Sequence, residues 1–181
     1  MKVISGLYKG RVLDGFDIDG TRPTMDRVKE SLFATIQNYI PNSIVLDLFS
    51  GCGNLGIEAL SNGSKFAYLC DNNFKAIKTI NNNINKIGIT NLEVINSDYK
   101  KCLRTLSDRD IKFDLIFLDP PYKTNYIEES LKLISDLKLL KSNGLIICES
   151  DSLDKIIYPN SFKSIKSKKY GDKYIVLLNN M

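Results

Sequence analysis

Ile44-Val45-Leu46-Asp47-Leu48-Phe49-Ser50-Gly51-Cys52-Gly53-Asn54-Leu55-Gly56 is the stretch from which the fold is read. A short apolar run, Ile44 to Leu48, enters a glycine-rich turn, and Asn54 to Ser61 then reads as a helix stopped by Gly63. Gly51, Gly53 and Gly56 make a G-x-G-x-x-G pattern between strand and helix, where glycines let the backbone turn tightly and approach a ligand closely. Asp71 ends the next apolar run, 20 residues after Gly51. A carboxylate at that position can accept hydrogen bonds from both hydroxyls of a ribose.

Working outward, the same alternation continues. Phe66 to Cys70 is a second strand; Phe74, Ile77, Ile80, Ile84 and Ile87 mark a helix closed by Gly88; Leu92 to Ile95 is a third strand. A short helix near Tyr99 to Leu106, a strand from Phe113 to Leu118, a helix from Ile127 to Leu140 and a strand from Leu145 to Cys148 follow. Strands that are apolar throughout, separated by amphipathic helices, predict a parallel sheet covered on both faces. Phe162–Lys169 and Tyr174–Leu178 are separated only by Tyr170-Gly171-Asp172-Lys173, and so short a connection forces an antiparallel hairpin. Upstream, Met25, Val28, Leu32, Phe33, Ile36 and Ile40 recur at helical spacing behind a Thr24 N-cap, and residues 1–23 read as an arm or β-hairpin punctuated by glycines. The expectation is an α/β chain of one domain over 1–181, an arm over 1–23 and a Rossmann-like core over 24–181, with a mostly parallel seven-stranded sheet.

Composition narrows the chemistry. Hydrophobic residues make up 43% and charged residues 25% of 181, as in ordinary globular proteins. There is no His, which excludes His-based triads, His metal sites and imidazole bases. Cys52, Cys70, Cys102 and Cys148 contain no Cys-x-x-Cys pair, so they read as reduced, buried thiols, and no metal is expected. No apolar run reaches the ~18 residues of a membrane span, and the N-terminus lacks the long apolar stretch of a signal peptide, so the cytoplasm is the expected location. The net charge of +4 permits an anionic partner without announcing one.

Two cofactor types fit the glycine turn with Asp71: a dinucleotide such as NAD, and S-adenosylmethionine. Asp47 helps to separate them. An acid beside a pyrophosphate is repelled in a site of low dielectric, whereas it favours a ligand carrying a sulfonium and an ammonium. The strand Phe113–Leu118 then runs straight into Asp119-Pro120-Pro121-Tyr122. Consecutive prolines fix φ and remove two backbone donors, so an acid, a carbonyl and an aromatic ring are held at the C-terminal edge of the sheet, where such folds bind ligands. The exocyclic amine of a base is a poor nucleophile because its lone pair is delocalised into the ring. Asp119 and the Pro120 carbonyl can each accept one of its N–H groups, turning the lone pair toward a methyl donor, while Tyr122 stacks on the base. No strong base is required, since methylation makes the nitrogen acidic. The rival readings are a DNA adenine-N6 methyltransferase, an NAD-dependent oxidoreductase and a non-catalytic nucleic-acid-binding module.

Asp119-Pro120-Pro121-Tyr122 resembles the catalytic motif IV of amino-group methyltransferases, and Asp47 to Gly56 resembles their motif I. With Gly6-Leu7-Tyr8-Lys9-Gly10-Arg11, Thr21-Arg22-Pro23-Thr24-Met25-Asp26-Arg27-Val28-Lys29-Glu30-Ser31-Leu32-Phe33 and Tyr170-Gly171-Asp172, essentially the whole chain is similar to the small stand-alone bacterial 16S rRNA guanine-N2 methyltransferases. The resemblance implies a class I methyltransferase fold and S-adenosylmethionine as cofactor, with S-adenosylhomocysteine as product. It places Gly51 and Gly53 at the methionine end, Asp71 on the ribose and Asp98 with Tyr99 beside the adenine. Asp47, Phe49 and Asn72 complete the cofactor set. Arg22, Thr24 and Arg27 would lie near the mouth of the site, touching the cofactor carboxylate or RNA phosphate, and Arg11 would meet RNA. The implied substrate is 16S rRNA in an assembled or partly assembled small subunit, modified by a monomer. Cys52 stands where the family usually has a small polar residue and Asn54 where it usually has Ala; neither removes a required group. Lys163, Lys166, Lys168, Lys169 and Lys173 read equally well as an RNA-facing stripe or as lysines protecting an edge strand.

Overall fold

The computed structural model describes residues 1–15, 26–121 and 124–181. Arg22, Thr24 and Tyr122 lie outside the described residues, as does the expected N-cap of the first helix. In chain order the described elements are α1 (Asp26–Ile36), β1 (Ile44–Asp47), α2 (Asn54–Ser61), β2 (Phe66–Asp71), α3 (Phe74–Ile87), β3 (Leu92–Asn96) and α4 (Tyr99–Asp108). There follow β4 (Phe113–Leu118), α5 (Tyr126–Asp136), β5 (Leu140–Ser150), β6 (Phe162–Tyr170) and β7 (Lys173–Asn180).

The strands form one sheet in the order β3-β2-β1-β4-β5-β7-β6. The first five are mutually parallel, and β7 runs antiparallel between β5 and β6, as the four-residue connection required. The chain steps outward from β1 to β3 and then returns to lay β4 against the other side of β1, so the strand order reverses between β1 and β4. A crevice opens at the C-terminal ends of strands at such a switch point, and ligands of open α/β sheets bind there.

Side-chain alternation divides the core into two layers. Val45, Leu115, Phe117, Leu145 and Ile147 face α1, α2 and α3, whereas Leu46, Ile116, Leu118, Ile146 and Cys148 face α4 and α5. Both faces of the central strands are therefore dry, which is why these strands read as continuous apolar runs. All four cysteines are free and buried. Among the described residues no helix is long and apolar enough to cross a membrane.

Two expectations need correction. The helix expected over Ile127–Leu140 ends at Asp136, because Lys138 turns into the left-handed region (φ 52°) and Leu140 already pairs with Phe113 as the start of β5. The leucines at 137, 139 and 140 fit a helical stripe, but pairing with β4 outweighs that periodicity. Phe74, expected on the buried stripe of α3, is 74% exposed at the first helical position. Residues 1–15 fold back through an antiparallel bridge between Lys2 and Val12.

Candidate active site

Asp47 and Phe117 are paired across β1 and β4, and the Leu48 N–H donates to the Phe117 carbonyl (3.2 Å). Two residues beyond Phe117 lies Asp119. Adjacent strands are about 4.8 Å apart, so the glycine turn and the proline corner leave the sheet side by side at its switch point.

The turn is built by its own acids. Gly51 (φ 58°) and Gly53 (φ 84°) occupy left-handed backbone that a side chain would strain. Gly53 caps α2, its N–H donating to the Ser50 carbonyl (2.7 Å) and its carbonyl accepting from Ile57 N–H (2.8 Å). The Gly51 N–H donates to Asp71 Oδ2 (2.9 Å), and Asp71 Oδ1 accepts from Asn73 N–H (2.8 Å). Gly56 is needed for packing: a Cβ there would stand 2.0 Å from Leu69 Cδ2. Its N–H donates to Asp47 Oδ2 (3.0 Å), and Ser50 Oγ donates to the Asp47 carbonyl (2.7 Å).

Asp47 is almost fully buried, and burial pushes its carboxyl up to about 7, against the Gly56 hydrogen bond, which lowers it; the neighbouring Asp71 charge adds to the rise. Burial also raises Asp71, opposed by the N–H groups it accepts from. A carboxyl held so near neutrality is relieved by an adjacent cation and aggravated by an adjacent anion. Two carboxyls and a turn of open backbone therefore suit a ligand with a cationic end and sugar hydroxyls. They do not suit a pyrophosphate.

Around this centre Phe49 is half-buried and stacks parallel to Tyr126, centroids 6.0 Å apart, with Tyr99 tilted against both rings. Tyr99 is buried and its hydroxyl donates to Glu129, so its ring supports Phe49 from below. Asn72 is exposed beside Asp71. Asp98, also exposed, caps α4 by accepting the Lys100 N–H at Oδ1 (2.9 Å). At the corner Asp119 is half-buried, Pro120 buried and Pro121 exposed. A hollow beside them is lined by Pro120, Pro121, Thr124, Ile127, Glu149 and Asp151 among others.

Arg27 is exposed in the first turn of α1. Arg11 is exposed on the arm opposite Val3 and shares no described contact with the turn or the corner. Lys173 is not part of an outward stripe: it is buried and paired with Glu149 on β5.

The sequence reading missed a buried network that ties the arm to the turn. Lys29 Nζ lies 2.8 Å from Glu58 Oε2 with both side chains inaccessible, and it donates to Asn54 Oδ1 (2.6 Å) and the Lys2 carbonyl (2.7 Å). Glu58 in turn accepts the Ile4 and Ser5 N–H groups (2.9 and 2.8 Å). Asn54, the first residue of α2, thus has a stated partner. The signal was present: positions 29, 33, 36 and 40 share one stripe of the helix, which puts Lys29 on the apolar side.

The family model described as conserved hypothetical protein 95 matches residues 1–179. Ribosomal RNA small subunit methyltransferase D of Haemophilus influenzae is 35% identical over 173 residues, covering 94% of this chain and 89% of that protein. YlbH of Bacillus subtilis is 42% identical over 152 residues, 83% of each chain. The solved structure of yhhF from Escherichia coli superposes with a TM-score of 0.89 at 29% identity, covering 99% of this chain and 97% of that one. The fold is that of the class I methyltransferases.

Proposed function

We propose, for a chain that belongs to the conserved hypothetical protein 95 family, that it transfers a methyl group from S-adenosylmethionine to the exocyclic N2 amine of a guanine in small-subunit rRNA. The observation that carries this reading is the Asp47–Phe117 pairing, which puts the acid-braced glycine turn and the Asp119-Pro120-Pro121 corner next to each other at the switch point. When bound, S-adenosylmethionine supplies an electrophilic methyl carbon on sulfur and leaves as S-adenosylhomocysteine.

This chain's residues do the rest. Asp47 faces the cationic methionine end across Gly51 and Gly53. Asp71 holds the ribose: each of its oxygens accepts one backbone N–H and retains a lone pair for a hydroxyl. Phe49, Asn72, Asp98 and Tyr99 form the wall beside the adenine, Tyr99 acting through the ring that it supports. Asp119 Oδ and the Pro120 carbonyl each accept an N–H of the guanine amine. So held, the nitrogen lone pair would face the methyl carbon that the cofactor supplies, and Asp119 or solvent would take the proton that the nitrogen sheds. Tyr122 stacks on the base. Positioning of this kind can supply about 7–11 kcal/mol of the barrier in the best intramolecular systems.

Mapping of methylated guanines in 16S rRNA from cells with and without this gene tests the reading. One N2-methylguanine present only with the gene is expected. An unchanged rRNA map, or a new methyl on adenine, overturns it.

A further inference from the structure

The chain's positive charge is unevenly placed. Lysine and arginine exceed aspartate and glutamate by four, and β6 alone, Phe162–Tyr170, carries four lysines and no acid. The rest of the chain is thereby balanced. β6 is the outermost strand, and Lys163, Lys166, Lys168 and Lys169 are all exposed on it. Lysines do protect edge strands, but that role has no preference for one face or for what lies beside it.

Here there is a preference. Lys166 pairs with Leu177 and Lys168 with Ile175, both of whose side chains pack in the α1-side core. Residues directly opposite on paired strands share a face, so both lysines stand on the side of α1. Lys168 Nζ lies 3.3 Å from Ser31 Oγ and 4.7 Å from the centre of the Tyr170 ring, and the Ser31 and Tyr170 hydroxyls are 2.7 Å apart. Arg27 is one helical turn from Ser31 on the same face of α1. The buried Lys173–Glu149 pair and the Ser150–Tyr174 pairing fasten the hairpin tip to the C-terminal end of β5, beside the hollow at Pro120 and Pro121. From the β4 corner to β6 is three strand spacings, about 15 Å.

We propose that the α1 side of the β6–β7 hairpin, with Lys166 and Lys168 set against Arg27 and Tyr170, is a track for the RNA backbone that flanks the target guanine. The inference rests on the rRNA reading given above. The lysines neutralise phosphates without reading sequence, and Tyr170 offers a flat face beside them. A single domain thus acquires a second contact zone some way from the reacting amine.

The test uses the full chain and small ribosomal subunits from cells lacking the gene. Subunit binding and methyl transfer are followed against salt for the wild type, K166Q/K168Q, K166R/K168R and a control of equal charge change on α3, K75Q/K78Q. K166Q/K168Q is expected to raise Kd and KM for subunits and to flatten the log–log salt dependence by about 0.7–0.9 per lost phosphate contact. Affinity for S-adenosylhomocysteine is expected to stay at the wild-type value, and the arginine pair to restore binding. Salt slopes equal to the wild type in K166Q/K168Q, or the same weakening in K75Q/K78Q, overturn the track while leaving the enzymatic reading intact. Absence of methyl transfer by the wild type overturns that reading instead, and the binding arm still decides the track.

Discussion

Gly51 and Asp71 are joined by a 2.9 Å hydrogen bond from the glycine N–H to the carboxylate, across two neighbouring strand ends. The acid that binds the ribose in our reading is thus also the acid that holds the glycine turn in shape, so cofactor site and loop conformation depend on one side chain.

Replacing Asp71 with Ala strands the Gly51 and Asn73 N–H groups as well as removing the ribose acceptor. Calorimetric titration should show S-adenosylhomocysteine binding weakened by roughly 1–3 kcal/mol, the scale for leaving buried partners unmet. Affinity equal to the wild type removes the assignment.

Asp47 gives a pH signature. Its folded-state carboxyl sits at about 7 against 3.8 for the free group, so the folded protein holds this proton more tightly than the unfolded chain. The associated stability is complete below about pH 4 and is lost as pH rises through about 7, up to roughly 4 kcal/mol in the cofactor-free protein. Urea unfolding between about pH 5 and about pH 8 should show this decline in the wild type and a flatter profile in Asp47→Asn. Cofactor affinity should run the other way, strengthening as Asp47 ionises opposite a cation. Parallel profiles for the two proteins contradict the role given to Asp47.

The buried Lys29–Glu58 pair predicts a stability effect away from the chemistry. Lys29→Met leaves the inaccessible Glu58 carboxyl without its cation, held only by the Ile4, Ser5 and Asn62 donors. Loss of one member of such a pair costs about 3–5 kcal/mol, which denaturant unfolding will read directly. A cost below about 1 kcal/mol, the range of exposed pairs, contradicts the burial.

Much of this architecture was legible in the sequence because burial and spacing point the same way there. The run from Ile44 to Leu48, the turn glycines and the four-residue link before Tyr174 each admit few conformations. The end of α5 was not legible, since Leu137, Leu139 and Leu140 satisfy helix and strand patterns alike and pairing with Phe113 decides between them. Nor were the ion pairs, because Lys29 and Lys173 belong to the residue type most often found in water, and only the fold brings Glu58 and Glu149 beside them. Asp71 was expected to face a sugar; that it also anchors Gly51 depends on how closely two strand ends approach.

Tyr122 separates stacking from hydrogen bonding. Tyr122→Ala should depress turnover far more than cofactor affinity, and Tyr122→Phe should be milder because the ring remains. Equal losses in the two variants assign the effect to the hydroxyl.

The central claim is that the proline corner beside the glycine turn aligns an amine for methylation. Asp119→Ala, tested for S-adenosylhomocysteine binding and for methyl transfer to small ribosomal subunits, examines it most directly. The account predicts wild-type affinity with turnover reduced by roughly 100-fold or more, the usual consequence of deleting a preorganised polar partner of the transition state. Turnover near the wild-type rate in a variant that still binds the cofactor contradicts it.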